Sequence, residues 1–143
     1  MLGADPDMST RDKVRAMLAG MLATARERPH LYRLMHRPPA GPEVLQAAGR
    51  SQGPFVAALS DLVCDAQAHR FGAVLLSGVH GAIGMEASGQ LTRDKWKTDA
   101  DEILDTLVGL LELARQRLER QKAAKPEEVS QPAASPEQET DRG

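Results

Sequence analysis

Between Ala100 and Leu118 the apolar residues Ala100, Leu104, Leu107, Leu111, Ala114 and Leu118 recur at intervals of 4, 3, 4, 3 and 4. Side chains spaced this way return to one side of an α-helix, whereas a strand would scatter them over both faces. The run therefore predicts a long helix with a heptad seam. It begins near Thr98, where Thr98 and Asp101 have the spacing of a cap pair. A leucine seam this narrow needs other helices to cover it, and it commits the chain to helix-on-helix packing.

The rest of the chain follows the same rhythm. Ser9, with Asp12 three residues on, has capping-box spacing, and Val14, Met17, Leu18, Met21, Leu22 and Ala25 then form one wide apolar stripe. Pro29 ends that helix and opens a short one, PHLYRLMHR, because proline suits a first helical turn and not an interior. Pro42 to Arg50 reads as a helical lead-in interrupted at SQGP, and a clearer helix starts at Pro54 with Phe55, Leu59, Leu62 and Ala66 on one face. A tight turn is expected at His69–Gly72, with one continuous helix over 54–88 as the alternative. Alternating β-branched runs are absent. The reading is all-α, about five helices in one bundle. Residues 1–8 and 123–143 are expected to lack order, the second because KPEEVSQPAASPEQETDRG offers three prolines, five acidic residues and little to bury. The helical domain then spans 9–122.

One segment strains against its neighbours. Ser77 to Gly89, SGVHGAIGMEASG, holds four glycines, each costing a helix about 1 kcal/mol relative to alanine. On a helical wheel Ser77, Gly81, Gly84 and Ser88 fall on one stripe, with Leu76, Val79 and Ile83 opposite. Small residues so placed let a second helix approach closely. That helix belongs either to the same subunit or to a second copy. Two seams per subunit about a two-fold axis would form a four-helix bundle, so Ser77, Gly81, Gly84, Ser88, Leu104, Leu107, Leu111 and Leu118 are the candidate dimer interface. A phosphate loop is not indicated, since no strand precedes the glycines and neither GxGxxG nor GxxxxGK[ST] occurs.

Composition removes other classes. With 18 basic and 20 acidic residues in 143, no global field points to nucleic acid or membrane. The seven basic and two acidic residues between Arg11 and Arg37 read as a surface rim without interleaved aromatics. No run approaches the roughly 20 apolar residues of a membrane span, and the N-terminus lacks a signal-peptide core. Cys64 is alone, so no disulfide framework exists and a reducing, cytoplasmic setting is expected. His69 and His80 would be about 16 Å apart on a continuous helix, His30 and His36 are poorly spaced, and no metal site or cofactor is indicated. Cys64 has no histidine partner in sequence, and no catalytic residue is assigned. Glu86 reads as a solvated or interface side chain. The chain is not expected to be an enzyme.

A pocket between helices is the remaining option. Met17, Met21, Tyr32, Met35, Phe55, Leu59 and Leu76 suit a cavity for a small apolar ligand, with His80 as its polar handle. A filled core made of the same residues is the alternative.

Three stretches, ERPHLYRLMHRP (27–38), VHGAIGMEASGQL (79–91) and DADEILDTLVGLLE (99–112), taken in order with the first helix, resemble the C-terminal regulatory domain of TetR-type transcriptional regulators. The similarity covers roughly residues 10–120. The nearest subgroup is the one named for a Trp-His-Gly motif, with Val79 standing at its tryptophan position. The resemblance implies ligand sensing and homodimerisation without catalysis. It also implies that this chain does not itself bind DNA, because no segment reads as the helix-turn-helix that opens such regulators. A packed helical interaction module with no ligand is the competing reading.

Overall fold

The computed structural model describes residues 7–38 and 41–125, so residues 1–6 and 126–143, most of the two segments expected to lack order, lie outside the described residues. The described residues form six helices and no strand: α1 (Thr10–Glu27), α2 (Pro29–Met35), α3 (Pro42–Val63), α4 (Asp65–Ala87), α5 (Arg93–Trp96) and α6 (Ala100–Ala124). Five of them have seven or more residues, and α5 is a single added turn.

Helix α1 starts as its spacing predicts. The Asp12 backbone N–H donates to Ser9 Oγ at 3.1 Å, and the Ser9 hydroxyl donates back to the Asp12 carboxylate at 2.6 Å. Val14, Leu18 and Leu22 face inward and are buried against Phe55, Leu59 and Val63 of α3, Leu75 and Val79 of α4, and Leu104, Val108 and Leu111 of α6. Each such side chain contributes about 1.5–3 kcal/mol by leaving water. α1 lies against α2, α3, α4 and α6, and the core forms around its inner face. Helix α2 buries no residue, and its backbone lies close to α1 alone.

Three boundaries differ from expectation. Pro42 to Val63 is one helix through SQGP, with Pro54 inside it. That proline withholds the N–H that Arg50 C=O would otherwise accept, and the helix continues beyond it into Phe55 and Leu59, which are buried in the core. The expected turn at His69–Gly72 does not form. The break falls at Cys64, whose φ of 97° and ψ of 156° end α3 and launch α4. Gly72 sits instead inside α4, where a Cβ would lie 3.3 Å from Leu59 Cδ1, so its lack of a side chain lets α3 and α4 close together. Finally, α6 is capped by Asp99 and not Thr98: the Asp99 carboxylate accepts the Glu102 N–H at 2.9 Å.

The glycine-bearing stretch is helical to Ala87 and stops in a Schellman turn. Gly89 takes φ +70° while its N–H donates to Glu86 C=O at 3.1 Å and the Gln90 N–H donates to Met85 C=O at 2.8 Å. Helices α4 and α6 run antiparallel, with Gly78 against Leu107 and Phe71 sharing a groove with Leu118.

Candidate ligand cleft

The inner face of α1 builds the core, and the face beside it builds a cleft of about 610 Å³. Met17, Met21, Gly20 and Thr24 of α1 form one side. Tyr32 and Met35 of α2, followed by His36, form a second, Pro54 and Phe55 of α3 a third, and Leu76 and His80 of α4 close it. Both neighbours in these α1 pairs are four residues apart, so the helix presents them one turn above the other. The volume falls within the range of about 300–1,000 Å³ usual for small-molecule sites.

Of the residues proposed for a pocket, Met17, Met21, Tyr32, Met35, Phe55, Leu76 and His80 line this one cleft. Leu59 does not. It is fully buried, one helical turn beyond Phe55, under Gly72.

Three polar side chains of the cleft are gathered at one wall. The Tyr32 hydroxyl and Nδ1 of His80 share a hydrogen bond across 48 residues of sequence. His36 donates its Nδ1–H to the Tyr32 carbonyl at 2.8 Å, which fixes that ring's orientation. Its ring stands edge-on to His80 with centroids 4.3 Å apart, and its centroid is also 4.3 Å from that of Tyr32. Burial holds the His80 imidazole below its ordinary value of 6.5, and the neighbouring His36 adds to this. Burial likewise pushes the Tyr32 phenol upward. His80 is accordingly neutral near pH 7, with one ring nitrogen carrying the proton and the other able to accept. This wall is what joins α2 to α4.

Metal-ligand spacing does not single out His36. The usable signal was its position four residues after Tyr32, which stacks the two rings on one helix face. Gln52 and Pro54 were missed because the SQGP segment was read as a break in the helix. Among the described residues, no group of three His, Cys, Asp or Glu side chains could hold a metal ion.

The opposite edge of α1 is tied down by ions. Arg26 grips Glu86 of α4 with two hydrogen bonds, 2.6 and 2.8 Å, and reaches Asp101 of α6 at 2.9 Å. The Arg26 guanidinium holds the Glu86 carboxyl below its ordinary range. Arg15 pairs with Asp105 at 2.7 Å.

The candidate interface residues divide. Ser77, Gly81, Gly84 and Ser88 are exposed on one side of α4, with nothing within 4 Å of a Cβ built on either glycine. Leu104 and Leu111, however, are 2% exposed and lie in the core of their own protomer, so they cannot face a partner. Leu107 lies under Gly78, and Leu118 packs against the core. The heptad seam of α6 is covered by α1, α3 and α4 of the same chain. The leucines of α6 that do point outward are Leu110 and Leu113, 55% and 58% exposed.

A sequence model of the family described as tetracyclin repressor-like, C-terminal domain, matches residues 14–111. The chain belongs to this family. The match runs from the first buried residue of α1 to Leu111 of α6, and it covers the cleft and the core. Domains of this family are the ligand-binding and dimerisation parts of regulators and are not enzymes. No curated protein and no solved structure is significantly similar to the chain. Among the described residues no helix is long and apolar enough to cross a membrane.

Proposed function

We propose that this TetR-type C-terminal domain senses a small apolar ligand in the cleft between α1, α2, α3 and α4, and pairs with a second copy through α4 and α6. The observation that carries the first part is the wall of the cleft, where Tyr32, His36 and His80 join α2 to α4 through side chains alone. A ligand that competes for those groups, or fills the space beside Met17 and Met21, changes the position of α2 at little cost to the core. That is the two-state element a sensor needs, because a ligand shifts an equilibrium only through a difference in its contacts with the two states. In a complete regulator the shift would reach two DNA-reading heads.

The pairing surface is supported by a stripe on each helix. Val74, Ser77, Gly81 and Gly84 are exposed along α4, and Leu110 and Leu113 lie outward on α6. Both stripes flank the Gly78–Leu107 contact on the side away from the core. Flat small residues beside exposed leucines suit a four-helix packing about a two-fold axis.

Light scattering on a size-exclusion column tests the pairing. The wild type should have the mass of two chains, and Gly84→Leu the mass of one. A monomer in both would refute the dimer. Sensing is tested by a thermal-shift series with apolar ligands, in which a saturable rise supports the cleft. No rise across a broad panel would favour a packed interaction module.

A further inference from the structure

We infer that the cleft selects an electrically neutral ligand, an apolar body bearing a single carbonyl or hydroxyl oxygen, and discriminates against carboxylates and amines of the same shape. The inference rests on the proposed sensing role and specifies its ligand. Its basis is the chemistry of the lining. Among the described residues, no lysine, arginine, aspartate or glutamate side chain lines the cleft, although the chain is rich in all four. The charged side chains of α1 that make cross-helix ion pairs, Arg15 and Arg26, are committed to acids of α4 and α6.

What the cleft offers a polar group is neutral partners, most of them at one wall. His80 has its Nδ1 taken by the Tyr32 hydroxyl, and His36 has its Nδ1–H taken by the Tyr32 carbonyl. The ring nitrogen left on His80 is Nε2, which meets a hydroxyl in either tautomer and a carbonyl when it carries the proton. The Gln52 side chain adds an amide on the α3 side. An ionised head group placed there would shed part of its water and gain no opposite charge, whereas a neutral oxygen exchanges one hydrogen bond for another. The methionines Met17, Met21 and Met35 make the rest of the cleft tolerant of chain shape, so the head group is the selective feature.

The test uses four probes of equal chain length, 2-nonanone, 1-nonanol, nonanoate and nonylamine. Each is titrated to displace the neutral fluorophore N-phenyl-1-naphthylamine from the full chain at slightly alkaline pH. The ketone and alcohol should displace the dye at concentrations lower than the two ionised probes by roughly tenfold or more. Gly20→Leu, which fills the cleft from a position with nothing within 4 Å of its Cβ, should weaken every probe. Nonanoate or nonylammonium binding as tightly as nonanol would overturn the neutral-ligand inference and leave sensing intact. Absence of binding by the dye and all probes, or affinities untouched by Gly20→Leu, would overturn the cleft reading and this inference with it.

Discussion

A Cβ added to Gly78 of α4 would stand 2.6 Å from Cδ1 and 2.9 Å from Cδ2 of Leu107 on α6. The absence of one side chain thus sets how closely these two helices approach. Gly84, two turns further on, has open space at the same point. The two glycines should respond oppositely to alanine. Gly84→Ala gains helix propensity, worth up to about 1 kcal/mol. Gly78→Ala gains the same but forces Leu107 to move, and overpacking of this kind costs about 1–3 kcal/mol. Urea denaturation should show net destabilisation for Gly78→Ala only. In a Leu107→Ala background, where the space is free, Gly78→Ala should become stabilising.

Cys64 carries the break between α3 and α4 at φ 97° and ψ 156°, a region that glycine enters freely and other residues rarely do. Cys64→Gly should therefore raise stability by about 1 kcal/mol, after allowing for the greater freedom of glycine in the unfolded chain. Cys64→Ala should change it little. Denaturant midpoints for the two variants decide this, and a loss on Cys64→Gly would contradict the strain.

The cleft wall predicts a pH dependence. His80 is held below 6.5 by burial and by His36, so the unfolded chain takes up its proton at a higher pH than the folded one. Stability from this site is complete above about pH 6.5 and falls as the pH drops toward the folded value. Protonation would also leave Nδ1 able only to donate toward Tyr32. Melting temperatures measured between neutral and mildly acidic pH should decline for the wild type, and the decline should flatten in His80→Gln. Equal slopes would show that the ring titrates normally.

Glu86 works in the same direction at lower pH. Its carboxyl is depressed chiefly by the hydrogen bonds from Arg26, so its contribution is present above the ordinary carboxylate range and lost as the pH falls through the folded value. The pair is substantially exposed, so Glu86→Gln should cost no more than about 1 kcal/mol, and the loss should shrink in high salt. Thermal unfolding at two ionic strengths measures it.

Periodicity made the helices of this chain legible, and it placed most of the cleft. The stripe of α1 and the proline that opens α2 fixed Met17, Met21, Tyr32 and Met35 on elements that meet. It did not reveal which apolar face of α6 turns inward. Leu110, Leu111 and Leu113 belong to two different faces, and a wheel shows that a face is apolar without showing whether its own chain or another covers it. Only contacts between distant residues decide that, and they put Leu104 and Leu111 inside. The turn at Cys64 was invisible for a simpler reason. The residue that takes the positive φ is not glycine, so it leaves no mark, while Gly72, which does look like a turn signal, is spent on a close approach to Leu59.

Helix α1 is fastened to its neighbours near both ends, by Arg15 to Asp105 and by Arg26 to Glu86 and Asp101. The two arginines are eleven residues apart, about 16 Å along the axis. Met17 and Met21 project into the cleft between them. A rod pinned near both ends and loaded in the middle does not slide; it rolls about its long axis or bows. Under the proposed sensing role, a molecule seated against those methionines would bend α1 between its two points of attachment to α6, and both exposed ion pairs would feel it together.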